Sequence, residues 1–141
     1  MKHILIFLGL WFAVNACLAE SKTTYFYDKS GSSCGKATTS DNRTTVYDKS
    51  GSTDGSARQS DSTSYYYDKS GSSAGKSVTS GNRTTCYDKS GSTVGSSRTS
   101  DNTTYFYDKS GSSCGKAVTS GNRTTYYDKS GSTSGSSRTT Q

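Results

Sequence analysis

The chain predicts an all-β fold, a repetitive antiparallel meander of β-hairpins, and three observations carry that reading. The first is a strict repeat: Tyr27-Asp28-Lys29-Ser30-Gly31 returns at Tyr47, Tyr67, Tyr87, Tyr107 and Tyr127, always 20 residues apart. A fixed period of this length marks one supersecondary unit packed on the next. The second is that two turn signals punctuate every unit, with segments rich in Thr, Tyr and Val between them, the residues that favour strands. The third is that the chain holds no Pro to interrupt a ladder. Six units fill residues 20–141 as one repeat domain of 11 or 12 short strands.

Residues 1–19 stand apart. Lys2 and His3 precede an apolar run, Ile4 to Val14, and small residues follow up to Ala19. That layout reads as a helical signal segment, a secretory signal peptide too short to span a bilayer. It predicts a secreted or periplasmic protein. A rival reading takes Val14-Asn15-Ala16-Cys17 as similar to a bacterial lipoprotein box, which would lipidate Cys17 and anchor the chain to a membrane.

Removing the leader changes the composition. Every Leu and Ile, the one Trp and the one His lie within it. What remains is basic, 16 Lys and Arg against 11 acidic residues once Lys2 is gone, and rich in tyrosine, with all 11 retained. So few large aliphatic residues would ordinarily predict disorder. Six copies kept in register argue for order.

Within a unit, the Asp of the first turn can accept hydrogen bonds from backbone N–H groups two and three residues on. The Gly after it suits the φ > 0 position of a type I turn with a bulge. The structural repeat residues are therefore the Tyr27 column, the carboxylates Asp28, Asp48, Asp68, Asp88, Asp108 and Asp128, and the glycines Gly31, Gly51, Gly71, Gly91, Gly111 and Gly131. The second turn, Ser40-Asp41-Asn42 and its counterparts, suits a two-residue hairpin loop. Alternation puts Tyr25 and Tyr27 on one face and Phe26 on the other. The invariant Tyr27 column is expected to be the packed ladder. The variable column (Phe26, Val46, Tyr66, Cys86, Phe106, Tyr126) is expected to be looser and partly exposed. The glycines at 35, 55, 75, 95, 115 and 135 mark a bulge or bare backbone under a Tyr ring. A second period of 40 residues places Tyr25, Lys36, Arg43 and Arg58 and their counterparts in alternate units, which is expected to keep like charges off facing positions.

The Tyr-x-Tyr-Asp-x-x-Gly core at Tyr25–Gly31, Tyr65–Gly71 and Tyr105–Gly111 resembles the YD repeats of bacterial Rhs-type proteins. It is closer still to small exported bacterial proteins of unknown function built from 20-residue Tyr-Asp-x-x-Gly units. The likeness covers the whole chain after the leader and departs from Rhs repeats at Ser32. A more distant likeness is to choline- and glucan-binding repeats, which depend on Trp. The resemblance implies a β-repeat in a cell-envelope or extracellular setting, and no activity.

Motifs with chemistry are few. Ser33-Cys34-Gly35-Lys36 and Ser40-Asp41-Asn42 have the spacing of penicillin-binding enzymes, but that chemistry needs the Ser on a helix, and here Ser and Lys are expected on opposite faces of a strand. A His-based triad leaves with His3. Cys34 and Cys114 would lie ~38 Å apart in an open sheet, beyond a disulfide. One carboxylate per turn caps the turn better than it cages calcium. Asn42, Asn82, Asn102 and Asn122 head Asn-x-Thr triplets that serve as turn formers. The reading is accordingly of no catalytic, metal or cofactor-binding residues and no small-molecule substrate. It predicts an exported non-enzymatic repeat protein with a structural or adhesive role at the cell surface or outside the cell. The alternatives are a binding module for an anionic or glycan envelope polymer, or a largely disordered secreted protein. Open sheet edges would further allow self-association.

Overall fold

The computed structural model describes residues 21–141, so the leader, its helical reading and Cys17 lie outside the described residues. Twelve strands follow in order: β1 (Lys22–Asp28), β2 (Ser33–Ser40), β3 (Arg43–Asp48), β4 (Thr53–Ser60), β5 (Thr63–Asp68), β6 (Ser73–Ser80), β7 (Arg83–Asp88), β8 (Thr93–Ser100), β9 (Thr103–Asp108), β10 (Ser113–Ser120), β11 (Arg123–Asp128) and β12 (Thr133–Thr140). Each pairs antiparallel with the next, and β12 returns to pair with β1, closing a barrel. The seam is an ordinary ladder, Thr23 facing Thr140 through Asp28 facing Gly135. Among the described residues closure leaves no strand edge unpaired, in place of the open edges that the sequence leads one to expect.

Both turn types form as the sequence predicts. At one rim, six turns run Asp-Lys-Ser-Gly; Gly31 donates to the Asp28 carbonyl at 3.0 Å and Asp28 N–H donates to the Ser32 carbonyl at 2.9 Å. Gly31 sits at φ 83°, which a side chain would strain. At the other rim the two-residue loops put Asp41 at φ 52° and Gly81 at φ 57°, the left-handed region these residue types tolerate.

The ladder registers set the shape. Phe26 faces Gly35, and Gly35 faces Asp48, so two strands on the level has moved 22 residues although the repeat is 20. Each hairpin therefore slips by two residues, and six of them produce a stagger of 12 around the ring. Equal stagger and strand number tilt the strands by roughly 35–40° and hold the backbone roughly 10 Å from the axis. Equivalent residues of the six units then share one height, while hydrogen-bonded neighbours climb around the wall. Tyr27 accordingly faces Ser136 and Ser33 and not another tyrosine.

Closure decides which face is core, and it reverses the expectation. The Phe26 column points inward: Phe26, Tyr66, Cys86 and Phe106 are buried, Cys86 to 1% exposure. The Tyr27 column lies half-buried on the outer wall. An invariant column suits a convex surface, where every position has equal room. A column of six side chains meeting around one axis must instead vary in size to fill a shared volume.

Inside, layers stack along the axis. Beside the aromatic layer lies one of small residues, including Ala37, Ala57, Ser77, Ser97, Ala117 and Ser137, all buried. The two layers are matched in chemistry. Phe26 and Phe106 have Ala 11 residues on, while Tyr66 and Tyr126 have Ser, and their hydroxyls bond at 2.8 Å (Tyr66–Ser77) and 3.0 Å (Tyr126–Ser137). Burial pushes the Tyr66 phenol up to about 12 and also raises that of Tyr126. Nearer the Asn42 rim comes a collar of inward hydroxyls. Thr24–Thr139, Thr39–Thr44 and Thr79–Thr84 bond at 2.9 Å, Thr99–Thr104 and Thr119–Thr124 at 3.0 Å, and Ser64 donates to Gln59 in the sixth pair. No buried side-chain polar atom of the described residues lacks a partner.

The glycine column does lie at a bulge. The ladder slips between Phe26 and Tyr27 opposite Gly35, and a Cβ on Gly35 would stand 2.2 Å from the Tyr47 carbonyl oxygen. What crosses the glycine is the neighbouring backbone, not a tyrosine ring. The bulge also absorbs Cys34, so Ser33 faces Tyr27 and Lys36 faces Tyr25, both on the outer wall. The expectation of opposite faces for Ser33 and Lys36 is thereby corrected.

Candidate functional site

Among the described residues, the outer wall carries a recurring basic-aromatic arrangement that could act on a partner. Following hydrogen-bonded neighbours from the Asn42 rim, Arg43 of β3 faces Arg58 of β4, which faces Tyr65 of β5, then Lys76 of β6 and Tyr87 of β7. The same row recurs as Arg83, Arg98, Tyr105, Lys116 and Tyr127. It recurs again across the seam as Arg123, Arg138, Tyr25, Lys36 and Tyr47. Between these run neutral rows such as Tyr67, Ser56, Thr45, Thr38 and Thr23. The wall is thus striped, three basic-aromatic rows alternating with three neutral rows of tyrosine and hydroxyls, two of which also carry a valine, Val78 or Val118.

This arrangement overturns the expectation that the 40-residue period separates like charges. The turn at Lys49–Ser52 with the bulge beside Gly55, and its counterparts, bring the arginines of β3 and β4, β7 and β8, and β11 and β12 into register. Arg43 faces Arg58, Arg83 faces Arg98 and Arg123 faces Arg138. All six are exposed, and no carboxylate stands in any of the three rows. Facing side chains have Cβ atoms about 5 Å apart, near enough for the guanidinium groups to share one ligand.

Further along each row, the lysine lies over the next tyrosine. The ammonium of Lys36 is 5.5 Å from the centre of the Tyr47 ring, that of Lys76 5.7 Å from Tyr87, and that of Lys116 5.6 Å from Tyr127. Attraction between cation and ring face orients these lysines along the wall. The tyrosine between arginine and lysine stays open to solvent: Tyr25 is 38% exposed, Tyr65 42% and Tyr105 41%. Each row therefore presents two guanidinium forks, an open phenol ring and an ammonium held on a second ring.

The sequence-predicted repeat residues lie elsewhere, at the rim. Asp28 Oδ1 accepts from Ser30 N–H at 2.8 Å, Ser30 Oγ at 2.6 Å and Ser32 N–H at 3.0 Å, and the other five turns repeat this. The Ser30 hydroxyl, followed by the backbone donors, holds the Asp28 carboxyl below its ordinary value. Among the described residues no cluster of three His, Cys, Asp or Glu side chains is placed to share a metal. Cys34, Cys86 and Cys114 are all free thiols. Closure brings β2 and β10 to four strands apart by the short way round, about 19 Å of arc in place of the open-sheet separation. Burial pushes the Cys86 thiol up to about 12 and raises Cys34 and Cys114 as well.

The basic rows escaped the sequence reading, although a signal was present. Once the turn at Lys49–Ser52 and the bulge beside Gly55 are fixed, Arg43 and Arg58 fall opposite each other. No protein-family model matches the chain, and no curated protein shows significant similarity to it.

Proposed function

We propose that this chain is an exported, non-enzymatic barrel that acts by contact at the cell surface or outside the cell, with its striped outer wall binding an anionic polymer. The observation that carries the reading is the threefold recurrence of Arg-Arg-Tyr-Lys-Tyr across neighbouring strands. Cations on a rigid wall attract a polyanion, and the open rings add a sequence-tolerant surface for sugars or bases to lie on. The leader-like residues 1–19 and the resemblance to exported YD-type repeats support the setting.

A lipid-facing wall is a poor alternative. Nine of the chain's 17 Lys and Arg residues stand in the rows, and each cation facing lipid near mid-bilayer costs about 2–4 kcal/mol. Strands of 6–8 residues, so tilted, also make a wall only roughly 16–21 Å tall, short of the apolar band of roughly 25 Å that such barrels need.

The test is retention of the purified protein on immobilised lipopolysaccharide, teichoic acid, a sulfated glycan, single-stranded DNA and a neutral glucan at two salt concentrations. The anionic supports should retain it, and added salt should release it. Equal retention on the neutral glucan, or binding indifferent to salt, would reject the reading.

A further inference from the structure

We propose that each facing arginine pair on the outer wall is a receptor for one tetrahedral oxyanion, a phosphate or sulfate group, so that the barrel carries three equivalent sites. The inference rests on the polymer-binding reading and sharpens it, by naming the group on the polymer that is recognised.

Like charges directly opposite on adjacent strands destabilise a sheet by roughly 0.2–1 kcal/mol per pair. The barrel carries this arrangement three times, at Arg43/Arg58, Arg83/Arg98 and Arg123/Arg138, without a carboxylate in the row to offset it. An oxyanion between the two side chains turns the repulsion into attraction. The residue type fits this use. A guanidinium presents a planar fork that matches two oxygens of a phosphate or sulfate, which an ammonium cannot do. Arginine stands at both members of all three pairs, whereas lysine occupies the place in the row where a ring holds it.

The surroundings are also suitable. At the Arg83/Arg98 pair, Arg83 Nη2 donates to the hydroxyl of Ser96, diagonal to the pair, at 3.5 Å, which places a further polar group beside that pair. On the far side of each pair the row continues into an open tyrosine, Tyr65, Tyr105 or Tyr25. A phosphate or sulfate ester seated between the arginines would lay its sugar against that ring. Neighbouring strands stand about 4.8 Å apart, so the pair, ring and lysine span roughly 14 Å, the length of two or three units of a sugar–phosphate chain.

Calorimetric titration of the full protein with inorganic phosphate and with sulfate, against chloride at matched ionic strength, counts the sites. Three equivalent sites are expected. Arg58→Gln should leave two, and Arg58→Gln with Arg98→Gln and Arg138→Gln should leave none. Arg58→Lys keeps the charge and loses the fork, and should weaken that site roughly tenfold, a difference of 1.4 kcal/mol. Lys36→Gln, Lys76→Gln and Lys116→Gln together should leave the count at three. Sulfate also stabilises proteins generally by exclusion from their surface, which would act on wild type and variants alike and so cannot mimic a lost site. Circular dichroism of the variants confirms that the wall is intact. A phosphomonoester or sulfated oligosaccharide, run in parallel, should bind more tightly than the free ion, because only the ester engages the tyrosine. Absence of saturable anion binding, or a count unchanged by the arginine variants, overturns the proposal. If polymer binding persists in that case, the polymer-binding reading survives with its cations acting as a diffuse field; if polymer binding is also absent, both fail.

Discussion

The inner and outer walls of this barrel are made by the same strands and obey different rules. On the outer wall the 40-residue period holds without exception along the basic rows: Arg43, Arg83 and Arg123 are equivalent, as are Lys36, Lys76 and Lys116. On the inner wall it breaks. The aromatic layer reads Phe26, Val46, Tyr66, Cys86, Phe106 and Tyr126, and the layer beside it exchanges Ala for Ser in step. Side chains on the convex side have separate neighbourhoods, so each copy can be the same. Those on the concave side share one volume and one set of hydrogen bonds, so each depends on the others. Variation in the aromatic and small-residue layers inside, against constancy along the basic rows outside, fits closure of a duplicated segment.

Four substitutions or conditions test that contrast. Phe106→Ala removes a large part of a shared layer and should cost about 3–5 kcal/mol, read as a lowered denaturation midpoint. A cost below 1 kcal/mol would mean that the layer is not packed. Ser137→Ala deprives the mostly buried Tyr126 hydroxyl of its 3.0 Å partner and should cost about 1–2 kcal/mol. Adding Tyr126→Phe recreates the Phe–Ala match of Phe26 with Ala37 and should recover most of that loss. Additive costs in this cycle would show that the two layers are not coupled.

On the outer wall the sign should reverse. Arg58→Gln relieves a facing like-charge pair and should raise stability in chloride by roughly 0.2–1 kcal/mol, whereas a loss of that size would mean that Arg58 supports the wall by packing. The smallest effect per site concerns acid. The Asp28-type carboxyls are held below their ordinary value of 3.8, so their capping contribution is complete above that value and is lost as the pH falls through the lower folded value. Thermal midpoints should be flat with respect to these groups between pH 7 and 5 and fall below about 4. A decline beginning near pH 6 would point to some other group.

The hairpins were legible because their turns are local. Asp28 to Gly31 and Asp41-Asn42 carry their own backbone preferences, and six of one and five of the other divide the chain into 12 strands. The choice of inner face was not legible, since Tyr27 and Phe26 are both aromatic and alternation alone cannot tell convex from concave. Closure was hidden in an absence. Neither β1 nor β12 looks like a cap, which in an open sheet is a liability and in a ring is a requirement. The facing arginines depend on the bulge beside Gly55 and its counterparts, which shifts the register within β3–β4, β7–β8 and β11–β12 and is not visible in the turn residues alone.

That Thr23 and Thr140 face each other across an ordinary ladder has a further consequence. The gap between β12 and β1 is only one of six equivalent gaps at that rim of the circle. Joining Gln141 to Ser21 through a short linker and opening the chain between Gly81 and Asn82 should regenerate the same barrel from a rearranged gene.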